Sequence, residues 1–143
     1  MSHLQQPCPC GTGATYDSCC GPLLANTAQA TSPEQLMRSR YTAYVRGDAD
    51  HLFRTWHPRT RPDDLTPDPT TRWTGLRIVA AAGDTVEFVA TWEGGRMHEV
   101  SRFEQRAGRW VYVDGDVSQA GPPSVGRSPL AAPCPPSPRP PRT

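Results

Sequence analysis

No stretch of this chain approaches eighteen consecutive apolar residues, and its first residues hold no apolar block of the kind a secretory signal carries. Neither a membrane span nor an export signal is therefore expected. An excess of one charge is also missing. The formal net charge is +1 at pH 7 and the two signs are mixed along the sequence, so no phosphate-tracking surface is expected and nucleic-acid binding is not favoured. With 143 residues and a proline-rich end, the chain has room for one modest core, and a clip at one end would help to hold it. No set of nucleophile, base and orienting group is legible, which leaves any catalytic residues unknown.

What is present is a concentration of cysteine. Four of the five cysteines, Cys8, Cys10, Cys19 and Cys20, fall within residues 8–20 as a C-x-C pair and a C-C pair. A tetrahedral ion needs four soft ligands, and Zn²⁺ takes four thiolates readily. Gly11 and Gly13 allow the backbone to fold tightly around the first pair, and Pro22 after Gly21 ends the turn that carries the second. The reading is a knuckle that closes on one structural zinc, whose filled shell leaves no position for water. Adjacent cysteines fit disulfide geometry badly, though cross-bridges between the two pairs, a redox pair and inert thiols remain open alternatives. Binding Zn²⁺ through four thiolates would take the formal charge from +1 to −1. Clustered cysteines without export fit a reducing cytoplasm.

Beyond the knuckle, residues 23–31 read as a linker in which Leu23 and Leu24 touch the next domain. Ser32-Pro33-Glu34-Gln35 is a helix start, with Ser32 as N-cap, Pro33 at the first helical position and Gln35 placed to close a capping box. Leu36, Met37, Tyr41, Tyr44 and Val45 recur at helical spacing, and Gly47 ends the helix. Asp48 caps a shorter helix carrying Leu52, Phe53 and Trp56, which must stop before Pro58. Prolines and aspartates over residues 58–71 make a loop. Four strand signals follow, over residues 73–80, 85–92, 97–105 and 109–114, with turns at Gly83, Gly94-Gly95 and Ala107-Gly108. Two helices and an antiparallel meander define an α+β domain whose helices cover one sheet face. The domain limits are 1–24 for the knuckle, 25–117 for the α+β domain, and 118–143 for a proline-rich disordered tail holding the solitary Cys134.

Alternation in the third strand puts His98, Val100 and Arg102 on one face and Glu99, Ser101 and Phe103 on the other. If the first of these faces is concave, His98 and Arg102 could meet Arg40, Tyr44, Trp56 and His57 in a cationic and aromatic pocket for a small anion or planar ligand. The competing reading makes the aromatics core, pairs the arginines with carboxylates and sets His57 as a helix cap. A sheet open on one face also invites a homodimer.

Cys8-Pro9-Cys10-Gly11-Thr12-Gly13, then Tyr16, then Cys19-Cys20-Gly21-Pro22 resemble the SEC-C motif, a zinc-binding module also found at the end of the SecA translocation motor. There the last ligand is commonly histidine; here it is Cys20. Residues 36–45, Thr55-Trp56-His57-Pro58, residues 98–103 and residues 108–115 are similar to the YchJ family, in order, from about Pro7 to Gly115. The resemblance implies a nuclear transport factor 2-like α+β domain, helices on a curved antiparallel sheet, behind the zinc module. Family members often carry a second cysteine knuckle near the C-terminus, which this chain does not. Two function classes follow. One is a zinc-stabilised adaptor with an unidentified protein partner. The other is a pocket that holds a small ligand or works as an enzyme with His57 or His98 as base.

Overall fold

A computed structural model of the chain describes residues 6–120. Among the described residues, a 3-10 turn at Tyr16–Ser18 is followed by three helices, α1 Gly21–Leu24, α2 Pro33–Arg46 and α3 Ala49–Arg54. Four strands complete the fold: β1 Trp73–Ala82, β2 Thr85–Trp92, β3 Gly95–Arg106 and β4 Arg109–Ala120. The strands form one antiparallel meander in the order β1-β2-β3-β4. The expected α+β class is the observed one.

The start of α2 differs from a capping box in one detail. Ser32 Oγ accepts from the Gln35 amide at 3.1 Å, but the Gln35 side chain reaches one residue further back, to the amide and hydroxyl of Thr31 at 2.7 and 3.1 Å. Gly47, at φ 75°, closes the helix, and Asp48 accepts from the His51 amide to open α3. The body of α2 is less amphipathic than its apolar spacing implies. Ser39, Arg40 and Thr42 are buried with Leu36, Met37, Tyr41 and Ala43, whereas Val45 is exposed. The physical reason is that α2 packs on the cysteine segment as well as on the sheet and α3, so polar flanks are covered too. The linker likewise holds a short helix, α1, whose Leu23 and Leu24 are buried as expected.

In β2, burial alternates strictly, with Val86, Phe88, Ala90 and Trp92 facing the helices. The β2–β3 register sets Val86 against Ser101, Phe88 against Glu99 and Ala90 against Met97, so Met97, Glu99, Ser101 and Phe103 share that inner face. Two register shifts in β1 and one between Arg102 and Phe103 in the β3–β4 ladder interrupt the pairing, and bulges of this kind bend a sheet. Past its bulge, β4 runs six residues beyond the expected end at Asp114, so Ser118–Ala120 belong to the sheet rather than to a tail. The tail from 121 onward, with Cys134, lies outside the described residues. The loop over residues 58–71 contributes neither helix nor strand, but its entrance is fixed: Tyr112 donates to Thr55 O at 2.7 Å and accepts from the His57 amide at 2.8 Å. This bridge explains why Trp56 leaves the helix and is buried beside β4.

Candidate metal centre and buried polar cluster

The cysteine segment folds on itself through local backbone bonds. Cys8 N donates to Ala14 O at 2.9 Å and Tyr16 N to Gln6 O at 2.9 Å, making a narrow hairpin whose loop holds Cys8 and Cys10. Gly11 and Gly13, at φ 85° and 91°, supply left-handed backbone at the tip. The 3-10 turn then returns the chain, and Cys19 N donates to Tyr16 O at 3.1 Å. The result is convergence. All four Sγ atoms lie within 4.8 Å of one another, and Cys10 and Cys19 are 3.6 Å apart. A tetrahedron of thiolates around Zn²⁺ at about 2.3 Å has sulfur–sulfur edges of about 3.8 Å, so the donor set and its size fit such an ion. None of the four is paired in a disulfide.

Cys8, Cys10 and Cys20 are buried and Cys19 is half-buried. Crowding divides their acidities. Hydrogen bonds from Cys20 and Cys8 hold the Cys10 thiol far below its ordinary range, whereas the bond to Cys10 pushes Cys20 up and burial pushes Cys19 up. Four sulfurs this close can all be ionised only with a cation among them.

Comparison with known proteins finds two matches along the chain. The sequence matches the family described as YchJ, middle NTF2-like domain, over residues 32–115, and the SEC-C motif over residues 6–22. The chain belongs to the YchJ family. A YchJ-type relative, a UPF0225 protein of Streptomyces coelicolor, is 53% identical over 117 residues, covering 77% of this chain and 94% of its own length. Another, from Deinococcus radiodurans, is 50% identical over 114 residues, covering 76% and 88%. The solution structure of a SEC-C motif containing protein from Rhodopseudomonas palustris superposes with a TM-score of 0.65 at 42% identity, covering 76% of this chain and 96% of that one. A SEC-C motif containing protein from Psychrobacter arcticus shares the fold with a TM-score of 0.65 at 24% identity, covering 92% and 95%. Among the described residues, no helix is long and apolar enough to cross a membrane.

The YchJ-type domain holds a second polar constellation, different from the expected pocket. Arg40 is 2% exposed, and its guanidinium carbon sits 4.7 Å from the Trp56 ring centroid and 4.6 Å from that of Tyr112. Its Nη1 donates to Thr55 Oγ1 at 2.7 Å and Leu52 O at 3.3 Å. No carboxylate among the described residues lies within ion-pairing distance of it; the acid whose charge acts on it is Glu99. Glu99, on the inner face of β3, accepts from Tyr112 Oη at 2.7 Å and Ser101 Oγ at 2.9 Å. Burial pushes its carboxyl up to about 7, against the pull of those two donors and of Arg40. Gly115 makes the space: a Cβ there would collide with Glu99 Oε2. Tyr44 is electrostatically coupled to both charges, and burial pushes its phenol up to about 12.

Arg40, Tyr44 and Trp56 thus belong to one buried cluster, which His98 and Arg102 do not join. His98 Nε2 lies 2.6 Å from Glu87 on the outer sheet face, and Arg102 bonds Asp114 at 2.6 Å and Asp116 at 3.1 Å. His57 is buried yet turned elsewhere, with Nδ1 accepting from the Arg59 amide at 3.0 Å and Nε2 3.3 Å from Glu104; it does not cap α3. The correction follows from strand phase. Met97 and Phe103 flank Glu99 and Ser101 at two-residue steps, and the apolar pair marks which face is inside. That signal would have found Glu99 and Ser101. Nothing local in the sequence announces Tyr112 or Gly115 as their partners.

A further buried pair resembles a catalytic dyad without being wired as one. His51 Nε2 is 2.8 Å from Ser39 Oγ, but Ser39 donates to Leu36 O at 2.7 Å and Arg54 Nη2 sits 3.2 Å from His51 Nδ1. With Arg54 donating to Nδ1, the ring proton is on Nε2 and points at Ser39, so the ring cannot take the serine proton. Burial, with Arg40 and Arg54 nearby, pushes the imidazole down to about 3.

Proposed function

We propose that this protein is a zinc-binding adaptor of a reducing, cytoplasmic compartment, in which a structural zinc at Cys8, Cys10, Cys19 and Cys20 stiffens a recognition surface carried on the nuclear transport factor 2-like domain. The observation that supports it is the convergence of four unpaired sulfurs into a volume the size of a tetrahedral thiolate shell, with three of them buried. Four protein ligands saturate the ion, so its contribution is to structure. Beside the knuckle, Tyr16, Asp17 and Pro22 line an open groove with Arg46 and Asp48, and the Arg46 guanidinium lies 4.2 Å from the Tyr16 ring centroid. A partner that engages the knuckle would meet this mixed aromatic and charged surface.

The test has two parts. Metal analysis of protein purified without added metal should give one zinc per chain, and Cys19→Ser should lower it; full retention counts against the ligand set. For the adaptor role, co-purification with wild type and with Arg46→Glu, which leaves all four cysteines intact, should differ in one reproducible partner. Identical partner profiles would remove the groove from the proposal.

A second reading keeps the domain as a holder of small ligands, and one observation favours it. Trp56 Nε1 is buried without a hydrogen-bond partner among the described residues, beside the Arg40 guanidinium. A small ligand whose acceptor atom reaches Nε1 would supply the missing partner. Trp56 fluorescence titrated with small carboxylates and phosphate tests it, since an unchanged spectrum across the series is the result of a filled core.

A further inference from the structure

We infer that the metal centre is completed from outside the cysteine segment, by Thr42 and Arg38 of α2 acting as positioning residues for its sulfurs. The inference rests on the zinc reading above and adds residues that belong to the neighbouring domain. Thr42 is fully buried, and its Oγ1 stands 3.4 Å from Cys20 Sγ and 3.8 Å from Cys8 Sγ. One helical turn earlier, Arg38 Nη1 donates to Cys10 O at 2.7 Å, while its Nε is held by Glu34 at 3.1 Å. Three of the four cysteines are therefore addressed by one face of one helix.

The chemistry asks for such donors. Four thiolates around a divalent cation carry a net charge of −2 at the site. A hydroxyl directed at a coordinated sulfur withdraws part of that charge and fixes the sulfur's orientation, the role that outer partners play around metal ligands generally. Thr12 does the same from within the segment, 3.2 Å from Cys19 Sγ, but it is exposed and water can replace it. Water cannot reach Thr42. Threonine in a helix commonly turns its hydroxyl back to its own backbone, and here it is within reach of two sulfurs instead. The guanidinium of Arg38 adds positive charge beside the anionic centre and pins the carbonyl between the two arms of the hairpin.

The coupling runs both ways. Arg40 lies between Arg38 and Thr42 on the same helix and faces Trp56 and Tyr112, so the ion's grip on α2 also sets the position of the buried guanidinium. The metal is then part of the domain's folding, not an ornament on a detachable arm.

The experiment uses the full chain. Zinc affinity is measured by competition with a chromophoric chelator for wild type, Thr42→Val and Thr42→Ser, and the cobalt-loaded proteins are compared by their thiolate-to-cobalt charge-transfer absorption. Thr42→Val should weaken zinc about 10–100-fold and shift the cobalt band, and Thr42→Ser should restore most of both. Wild-type affinity and an unshifted band in Thr42→Val would overturn the inference, as would a serine variant as weak as valine. Should Thr42→Val fail to fold, Arg38→Met, on the partly exposed rim, keeps it testable: zinc should leave several-fold faster, and an unchanged release rate overturns it. A wild-type protein that binds no zinc brings down the zinc reading itself, and the inference with it, before any variant is made.

Discussion

The knuckle and the Arg40 cluster are both dense collections of chemistry-bearing side chains, yet they are assembled in opposite ways. The knuckle draws its four sulfurs from residues 8–20, and a hairpin and a 3-10 turn bring them together without help from distant strands. The Arg40 cluster takes Arg40 and Tyr44 from α2, Trp56 from the segment after α3, Glu99 and Ser101 from β3 and Tyr112 from β4, and it exists only when the β3–β4 register is correct. The first is a site that a short sequence can encode. The second is a property of the packed domain, and it is held by burial more than by ion pairing: the arginine and the acid are not in contact, and Glu99 is pushed up to about 7. Buried charges kept in this manner are costly to expose on one side only.

The largest expected effect sharpens that contrast at its metal end. Cys10→Ser should abolish zinc binding and lower the melting temperature of the whole described domain, because α2 packs directly on the cysteine segment; calorimetry with metal analysis checks it. A domain that melts unchanged would make the knuckle an independent appendage. Arg40→Ala comes next, costing about 3–5 kcal/mol in urea unfolding, since it empties a buried site and leaves Glu99 without the nearest positive charge. By contrast Arg102→Ala, whose partners Asp114 and Asp116 are on the exposed outer face, should cost less than about 1 kcal/mol. Equal costs for the two arginines would break the assignment of sheet faces.

The pH dependence separates two buried groups of opposite sign. His51, pushed down to about 3 from an ordinary 6.5, stays neutral when folded. The unfolded chain therefore binds the extra proton between those values, and stability falls as pH drops through that window, by at most about 1.4 kcal/mol per unit. Glu99, pushed up to about 7 from an ordinary 4.5, is the reverse. There the folded state binds the extra proton, and stability rises as pH drops from about 7 to 4.5. Between 6.5 and 4.5 the two terms oppose each other. Glu99→Gln removes the rising term alone, so the stability difference between wild type and this variant should move in favour of wild type on acidification, with metal release common to both and cancelling. A difference that stays flat from pH 7 to 4.5 would mean the Glu99 carboxyl is not held in its neutral form. The smallest effect belongs to His98→Ala, which loses only the half-exposed pairing with Glu87 and should change stability by a few tenths of a kcal/mol.

How much could be read in advance follows the same line. The helix caps at Ser32 and Asp48, the stop at Gly47 and strict alternation over residues 85–92 are local signals, and the elements formed where those signals stood. Apolar periodicity in α2 picked out Leu36, Met37 and Tyr41 but could not announce that Ser39, Arg40 and Thr42 are buried as well. That depends on a second body packing against the helix, which periodicity does not describe. The pocket turned on which face of β3 is concave: alternation groups Glu99 with Ser101 and Phe103, and it is this face, not that of His98 and Arg102, that is buried.

What the sequence settled unaided was the order of α2, α3 and the four strands and the grouping of the four sulfurs, because hydrogen bonds between near neighbours and the period of a strand or helix are decided within a dozen residues. Only the tertiary structure decided which face of β3 is inside, that Glu99 and not His98 meets the Arg40 cluster, and that α2 leans Thr42 and Arg38 on the cysteines. Those facts turn on which surfaces exclude water from each other, and no residue carries that information in its immediate neighbours.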